Sequence, residues 1–340
     1  MPPSSSDGSF ISSSSSDYGE SSVSFRVFIL HIFFKGGRRY MEDRIQVECV
    51  HHSDGSIDYL FVGVFDGHGG AEASDHVRKN LLRYIQLQEG FNGSDDEMKE
   101  AIRMGYIQTH LSMLDVIDDW SYTNSGYKST AGTTATCAFF RRGKLFTGHV
   151  GDSVIVGCYK KVQFHFNFIF YTFSENMIIG KALTVDHKPD NIIEKDRIIK
   201  AGGKIMKKSG IHRVVWKRPL HGHNGPIQSS TPMEHVPFLA VARALGDLWS
   251  YNAVTKKYIV SPEPDTDIYS LEPDLKSVVL GSDGLINVLQ PQQIAHIVLQ
   301  HDTFNGTRSQ YVTNHSMWLL HYALQGWKTF RADNISIITV

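Results

Sequence analysis

The sequence has little of three features that would assign it to a special class of protein. Its three cysteines, Cys49, Cys137 and Cys158, are too few and too scattered for a disulfide framework or a CxxC zinc site, so we expect a reducing compartment. The 34 Lys and Arg balance 35 Asp and Glu, which excludes a generally basic nucleic-acid binder. No apolar run approaches the roughly 20 residues that span a bilayer, so we predict no membrane segment. Because a secretory signal pattern is also missing, we expect an intracellular protein.

The composition indicates a folded protein preceded by a serine-rich tail. Hydrophobic residues make up 41% of the 340 residues, which is enough for a large core. Residues 1–24 are rich in serine, and such a composition cannot bury enough apolar surface to order itself. We therefore predict a disordered tail over 1–24. Because no Pro-rich or Ser-rich linker divides the remainder, we expect one domain over 25–340.

Apolar periodicity after residue 36 predicts strands and helices in a defined order. Residues 59–65 are a nearly unbroken apolar run, typical of a buried strand. Val77, Leu81 and Ile85 recur every four residues, as on the buried face of a helix, and a similar stretch begins at Met98. Strand patterns return at the C-terminus. Strands at both ends with helices grouped between them favour an α+β sandwich over a repeated βαβ unit.

The middle of the chain predicts an antiparallel meander followed by a helix. Residues 133–140 and 145–150 are strand patterns separated by the turn sequence RRGK. We expect residues 154–159 to add a third strand to this hairpin. Further on, Asp190 or Asn191 is suited to cap a helix that stops at the glycine pair 202–203.

Two apolar segments, 25–34 and 162–179, have no evident place in this layout. In the second, apolar and polar residues alternate over about ten positions, which predicts a strand with one aromatic face. Two interpretations stay open. Either these segments are genuine strands of this lineage, or they are translated non-coding sequence, and we treat 162–179 as an atypical insert.

Three aspartates share one sequence context, the edge of a predicted strand. Asp66 and Asp283 each follow an apolar run and precede glycine, and Asp333 precedes the last run. A single Asp-Gly pair is most simply a turn. Together, however, rigidly placed carboxylates with glycine carbonyls nearby suit a hard cation such as Mg²⁺ or Mn²⁺. Glu42 and Asp43 add two more carboxylates.

The motifs around these residues occur in a fixed order along the chain, and their joint occurrence is specific. The motifs are Arg38 with MED at 41–43, VFDGHGG at 64–70, GTTA at 132–135, GHVGDS at 148–153, Leu183 with DHKP at 186–189, AVARALGD at 240–247, SDG at 282–284 and DN at 333–334. In this order the sequence resembles the metal-dependent protein phosphatase family, the type-2C Ser/Thr phosphatases. The fold that this resemblance implies is a four-layer α-β-β-α sandwich, two antiparallel sheets with a helix pair on each outer face.

The resemblance also implies a mechanism and a role for each matching residue. A hydroxide that bridges two metal ions would attack a phosphoserine or phosphothreonine in line. Arg38 would bind the phosphate, and His68 would protonate the leaving alkoxide. The ligands of the two Mg²⁺ or Mn²⁺ ions would be Asp66, which bridges them, Asp283, Asp333, Glu42 and the Gly67 carbonyl. The residues that support these ligands would be Asp43 and Asn334.

The sequence departs from the family pattern at two positions after Asp283. A third, weaker metal would use Asp152 and Asp283 together with a carboxylate where this chain has Asn287, and a neutral amide binds Mg²⁺ less well. We therefore expect two metals and a doubtful third. Ile286 stands where the family usually has Trp, a change that concerns core packing more than chemistry.

A subset of motifs resembles the delta-type, DNA-damage-induced subgroup. These motifs are KSG at 208–210, RVVWKRP at 213–219, NGP at 224–226, residues 237–251 and VSPEPD at 260–265. The subgroup implies a nuclear protein, with the cytosol as the other location, that acts on stress-signalling phosphoproteins and contacts stress kinases and their targets. Lys217 and Arg218 would contribute to substrate binding. A monomer is expected, with neither nucleic acid nor membrane as a direct partner.

Two other functions stay open. A pseudophosphatase would keep the fold and bind phosphoproteins without turnover, although Glu42, Asp66, Asp283 and Asp333 all remain in this chain. A nuclease or small-molecule phosphoesterase could also use two metals. No interleaved basic and aromatic surface in the sequence supports nucleic acid.

Overall fold

The structure is a computed structural model, and it describes residues 9–10, 28–166, 172–220, 223, 228, 230–305, 314–327 and 333–340. The predicted disordered tail therefore lies outside the described residues except for Ser9 and Phe10, which pair with the strand Phe28–Phe34. The centre of the proposed insert, residues 167–171, also lies outside them.

The described strands are short and pair almost entirely in antiparallel fashion. In chain order they are β1 (Ser9–Phe10), β2 (Phe28–Phe34), β3 (Arg44–His51), β4 (Ile57–Phe65), β5 (Gly67–His68), β6 (Gly132–Thr133), β7 (Ala135–Arg141), β8 (Lys144–Val150), β9 (Val154–Phe166), β10 (Thr172–Ala182), β11 (Ile205–Lys208), β12 (Ile211–Pro219), β13 (Met233–Leu239), β14 (Leu245–Gly246), β15 (Tyr251–Asn252), β16 (Lys257–Tyr258), β17 (Asp265–Ser270), β18 (Leu275–Gly281) and β19 (Ile335–Thr339).

Among the described residues, the α-helices form one group between β5 and β6 and another between β18 and β19, and one further α-helix follows β10. The α-helices are α1 (Glu72–Gln86), α2 (Asp95–Ser112), α3 (Ile192–Lys200), α4 (Asp283–Ile286), α5 (Pro291–Asn305) and α6 (His315–Gly326). Short 3-10 helices are Glu89–Asn92, Met113–Asp115, Ile117–Asp119 and Leu248–Ser250. Within the described residues, no helix is long and apolar enough to cross a bilayer.

Two large antiparallel sheets form the centre of the molecule. The first has the strand order β17-β8-β7-β4-β3, and the second has the order β1-β2-β19-β18-β9-β10. Smaller sheets are β11-β12-β13, β14-β6-β5 and β15-β16.

Three hydrophobic cores show that these sheets and helices are stacked in four layers. One core packs α1 and α2 against the first sheet and contains Phe61, Phe139 and Tyr106. A second core joins the two sheets face to face through side chains such as Val62 and Leu280. The third packs α5 and α6 against the second sheet. The predicted four-layer α+β sandwich, with a helix pair on each outer face, is therefore confirmed.

The local signals for helices are also confirmed. Val77, Leu81 and Ile85 are fully buried on one face of α1. The α2 helix begins at a capping box in which Ser94 and Glu97 bond each other's backbone N–H groups. At α3 the side chain of Asn191 accepts a hydrogen bond from the Ile193 N–H, so Asn191 is the capping residue.

The prediction of a three-stranded meander was wrong at its third strand. β7 and β8 form the expected hairpin, but β9 pairs with β18 and β10 in the other sheet. The chain turns away at Gly151, whose φ of +105° is accessible mainly to glycine, and where a Cβ would lie 2.5 Å from a Thr134 side-chain carbon. The sequence pattern over 154–159 correctly predicted a strand, but it could not predict which strands β9 would pair with.

The segment 25–34 is part of the fold over the residues that the structure describes. β2 pairs with β19 over five residues, and Ile29 and Ile32 are buried. Within 162–179, β9 and β10 pair with each other; the pairing runs from Val162 opposite Asn176 to Phe166 opposite Thr172. The described residues of both segments therefore form strands, and the origin of 162–179 as an atypical insert stays a prediction.

Candidate active site

The carboxylates singled out in the sequence come together where strands of both central sheets end. Asp66 follows β4 of the first sheet and Asp283 follows β18 of the second, and the two carboxylates lie close enough for the charge of Asp283 to raise the pKa of Asp66. Asp43 lies before β3 and is buried, and its carboxylate accepts hydrogen bonds from Ser336, at 2.8 Å, and Ser282. The sandwich thus brings together residues that are far apart in the chain.

Asn334 joins the N-terminal acidic segment to the last strand. Its side-chain oxygen accepts a hydrogen bond from the Glu42 N–H at 2.8 Å, and its Nδ2 donates to the carbonyls of Lys35 and Tyr40 at 2.8 and 3.2 Å. The side chain is nearly fully buried. These bonds hold the 35–42 segment beside Asp333, and the supporting role of Asn334 toward metal ligands stays a prediction.

Close packing at Gly67 explains why glycine follows Asp66. A Cβ at Gly67 would lie 2.4 Å from the Glu42 carbonyl oxygen and 2.9 Å from Ser74 Oγ. Ser74 Oγ donates to that same carbonyl at 2.5 Å, and the Glu42 side chain accepts from the Gly70 N–H at 2.8 Å. Any larger residue at position 67 would push the Glu42 and Asp66 segments apart.

Burial and mutual repulsion raise the pKa values of the central carboxylates. The pKa of Asp66 lies well above its ordinary value because the group is buried and faces Asp43, Asp283 and Asp152. The pKa values of Asp43 and Asp283 are raised for the same two reasons. The site therefore concentrates more negative charge than the protein offsets.

Two basic side chains offset part of that charge. Arg38 donates to Asp333 at 2.5 Å, and this hydrogen bond raises the pKa of the guanidinium. Lys188 forms an ion pair with Asp152; burial lowers the pKa of the ammonium, but the carboxylate outweighs that effect and the pKa is raised. At the predicted third metal position, Lys188 already neutralises Asp152 and would compete with a metal ion. The uncharged Asn287 stands beside it and its Nδ2 lies 3.3 Å from Asp283 Oδ2, so both features weaken this position as a metal site.

The donor set fits a divalent cation in its chemistry. The buried groups offered at the site are carboxylate oxygens, which Mg²⁺ and Mn²⁺ prefer, and their shared excess of negative charge is what a divalent cation would relieve. Among the described residues, no three His, Cys, Asp or Glu side chains already converge on one point as a finished metal cage. The carboxylates lie near one another and raise each other's pKa values, but in this structure they do not form a finished cage.

His68 is held by an aspartate to which the sequence analysis gave no role. His68 Nε2 and Asp247 Oδ2 are 2.8 Å apart, and Asp247 is fully buried. Burial lowers the pKa of His68, but the charge and hydrogen bond of Asp247 outweigh this effect and raise the pKa overall. The available signal was Gly246-Asp247 at the end of the 240–247 motif, but no spacing rule connects it to a histidine 179 residues away.

The backbone at Asp247 is unusual and tightly fixed. Asp247 has φ +48° and Gly246 has φ +83°, so two successive residues are left-handed, a conformation that costs about 1–3 kcal/mol for a residue with a side chain. The Asp247 N–H donates to the Ala131 carbonyl at 3.0 Å, and Trp249 Nε1 donates to Asp247 Oδ1 at 2.8 Å. The carboxylate is therefore aimed at His68 from a restrained position.

The two residues predicted to bind substrate lie on β12, in the three-stranded sheet. Lys217 is exposed. Arg218 is bound to Glu234 at 2.6 Å, and its guanidinium lies over the rings of Trp216 and Tyr127 at 4.8 and 5.1 Å. Within the described residues, neither side chain joins the hydrogen bonds of the acidic cluster, so their predicted role remains a prediction.

Comparisons with known proteins agree with this fold. A model of the family described as Protein phosphatase 2C matches residues 33–315. Probable protein phosphatase 2C 14 of Arabidopsis thaliana is 29% identical over 266 residues, which are 78% of this chain and 46% of that protein. A probable protein phosphatase 2C of Caenorhabditis elegans is 30% identical over 243 residues, 70% of this chain and 53% of that protein.

A solved structure shares the same architecture. The serine-threonine phosphatase 2C of Toxoplasma gondii superimposes with a TM-score of 0.70 at 22% identity and covers 92% of this chain and 93% of its own. The chain belongs to the protein phosphatase 2C family. It spans about half the length of the two curated relatives named above.

Proposed function

We propose that the protein is a metal-dependent phosphatase of phosphoserine and phosphothreonine in proteins. The observation that carries the proposal is the buried group of mutually repelling carboxylates at Asp66, Asp283 and Asp43, beside an arginine and an aspartate-bound histidine. Such a group is costly in a protein that has no use for it, because each like charge raises the free energy of the others. Family membership supports the same reaction class.

In this proposal the chain's own groups have distinct tasks. Asp66, Asp283, Asp333, Glu42 and the Gly67 carbonyl would hold two Mg²⁺ or Mn²⁺ ions. When bound, these ions would supply an activated water and neutralise charge on the phosphoryl oxygens. Arg38 has a planar guanidinium, 59% exposed, that suits bidentate capture of a phosphate.

His68 would donate the proton that the leaving serine or threonine oxygen needs. Its Nε2 faces Asp247, which leaves Nδ1 to donate. Asp247 favours the charged imidazolium, so the proton is available before the ester bond breaks. This arrangement is expected to matter most for alkoxide leaving groups, which are poor without protonation.

The test is hydrolysis of a phosphoserine and phosphothreonine peptide panel with Mg²⁺, Mn²⁺ or a chelator. We expect turnover that requires metal, its loss in Asp283→Ala, and its retention in Asp118→Ala, which removes an exposed carboxylate paired with Lys128. Phosphopeptide binding without turnover by the intact chain would instead identify a pseudophosphatase. Preferential hydrolysis of phosphodiesters would favour the nuclease or phosphoesterase alternative.

A narrower proposal is that the protein belongs to the delta-type subgroup. It would then be a nuclear monomer that dephosphorylates stress-signalling proteins and contacts stress kinases and their targets. It is supported by the motifs on β12 and β13 and by the exposed Lys217. The subgroup often acts where Gln follows the phosphorylated residue. We expect faster hydrolysis of such peptides than of matched peptides with Ala in place of Gln, and a smaller preference in Lys217→Ala. Equal rates on both peptides would contradict this narrower proposal and leave the phosphatase proposal intact.

A further inference from the structure

A buried histidine on α2 contacts the backbone that carries Asp247. His110 lies in the last turn of α2 and is fully buried. Its Nδ1 accepts a hydrogen bond from the Gly246 N–H at 3.3 Å. Burial lowers the pKa of His110 to about 3, so the ring is neutral and Nδ1 is free to accept. The residue after Gly246 is Asp247, the hydrogen-bond partner of His68.

The geometry around Gly246 makes this contact consequential. A Cβ at Gly246 would lie 2.7 Å from the Ala131 carbonyl oxygen, so the turn fits closely against the β6 segment. Gly246 and Asp247 both have positive φ, and such a turn persists only where neighbouring groups hold it. Those neighbours are the Ala131 carbonyl, Trp249 and His110.

We infer that His110 is a positioning residue for the acid–base histidine: by accepting the Gly246 N–H it fixes the Gly246–Asp247 turn and thereby holds the Asp247 carboxylate against His68. The inference rests on the proposed phosphatase function. It adds a group on α2 that neither touches substrate nor belongs to the acidic cluster. Its effect passes through a single backbone N–H and one carboxylate.

A purely structural role for His110 makes a different prediction. The ring also packs edge to face against Tyr258 at a centroid distance of 4.3 Å, so its removal would lower stability by lost packing alone. Loss of stability affects every substrate equally. Misplacement of His68 affects a reaction in proportion to its need for a proton at the leaving oxygen.

The experiment compares two substrates that differ in this need. A phosphoserine peptide leaves as an alkoxide and requires protonation, whereas p-nitrophenyl phosphate leaves as a stabilised phenolate. His110→Leu keeps apolar bulk but removes the acceptor, and His110→Asn retains an acceptor near the Nδ1 position. Tyr106→Phe is the matched control, since it removes a buried hydrogen bond to the Gly148 carbonyl from the same helix without contact to Gly246.

We expect His110→Leu to lower kcat for the phosphoserine peptide about 10-fold more than kcat for p-nitrophenyl phosphate, with KM little changed. His110→Asn should restore most of the difference, and Tyr106→Phe should leave the ratio of the two kcat values as in the wild type. All variants are compared at a temperature where circular dichroism shows them folded.

An unchanged ratio in folded His110→Leu, or an equal change in Tyr106→Phe, would overturn the inference. If His110→Leu does not fold, His110→Asn and His110→Gln are compared instead, because the acceptor of Gln lies farther out than that of Asn. A wild-type ratio of the two kcat values in His110→Asn together with a reduced ratio in His110→Gln supports the inference, and equal ratios in these two variants contradict it. Absence of turnover of both substrates by the wild type would instead be a failure of the proposed function.

Discussion

At the residue scale, His68 and Asp247 form the most consequential pair in the site. A fully buried carboxylate needs a partner, because an unpaired buried charge is strongly destabilising. Asp247 has two, His68 at Oδ2 and Trp249 at Oδ1, each at 2.8 Å. Gly132 makes room for the pair, since a Cβ there would lie 2.1 Å from Asp247 Oδ2.

Replacement of Asp247 by Asn tests whether its charge supports catalysis. Asp247→Asn keeps the shape but removes the negative charge that favours the imidazolium, so we expect kcat on a phosphoserine peptide to fall about 10- to 100-fold. His68→Gln combined with Asp247→Asn should be no slower than His68→Gln alone, because both changes remove one function. Fully additive losses in the double variant would contradict the pairing.

His149 offers a prediction for stability against pH. It is fully buried, and burial together with the neighbouring His187 lowers its pKa to about 3. The unfolded chain has the ordinary value of about 6.5, so below that pH the unfolded state binds a proton that the folded state does not. The stability linked to His149 is therefore complete above about pH 6.5 and is lost as the pH falls toward 3, by about 2 kcal/mol at pH 5.

The measurement is the free energy of unfolding by denaturant at pH 7 and pH 5. His149→Asn should lose about 2 kcal/mol less than the wild type between these two pH values, because Asn does not titrate. His51→Asn, at an exposed position on the edge strand β3, should follow the wild type. An identical fall in wild type and His149→Asn would show that His149 does not govern this range.

At the element scale, the hairpin of β9 and β10 has a base that pairs with the second sheet and an outer part whose described residues pair only with each other. β9 pairs with β18 from Val154 to Tyr159, and beyond Lys161 the described residues of the two strands pair with each other. At the base, Gln292 of α5 donates to the Ile178 carbonyl at 2.8 Å and accepts from the Gly180 N–H at 2.9 Å. The base belongs to the sandwich, whereas an isolated two-stranded extension is marginal in water.

Removal of the outer hairpin should cost little stability. Replacing residues 162–176 with an Asn-Gly turn would join Lys161 to Met177, which already face each other, and should change the free energy of unfolding by less than about 1 kcal/mol. Gly180→Ala is the contrast, because its Cβ would lie 2.0 Å from the Pro291 carbonyl oxygen, and it should cost about 1–3 kcal/mol. A large fall in the free energy of unfolding of the shortened chain would mean that the outer hairpin is part of the cooperative fold. Improved solubility of the shortened chain would favour the interpretation of 162–179 as translated non-coding sequence.

The elements show what the sequence could and could not predict. Periodicity located β4, α1 and α2 because their buried faces repeat along the chain. The same signal could not tell that β9 crosses to the second sheet, since strand partners are decided by three-dimensional packing. Motif spacing likewise located Asp66 and Asp283, which lie just after strands, but not Asp247, whose role depends on a turn that brings it to His68.

At the scale of the whole molecule, the near-zero net charge conceals an uneven distribution. The formal charge is −1, yet the junction of the two sheets concentrates carboxylates whose pKa values are raised by burial and by one another. Arg38 and Lys188 relieve Asp333 and Asp152 at its periphery. The packing of the hydrophobic layers thus offsets the repulsion among these buried carboxylates, and this repulsion should be measurable as a lower free energy of unfolding.

Asp283→Asn should separate the stability of the fold from the binding of metal. Removing one of the buried like charges should raise the free energy of unfolding in chelator by about 1 kcal/mol or more, because the uncharged Asn no longer repels Asp66 and Asp152. In excess Mg²⁺ the order should reverse, since ligand binding stabilises the native state in proportion to its affinity and the variant has lost a ligand. Melting temperatures with chelator and with Mg²⁺ measure both effects, with Asp118→Asn as an exposed control that should change neither. A variant that is less stable in chelator and retains the full Mg²⁺ response would show that Asp283 is a structural carboxylate and does not hold the metal.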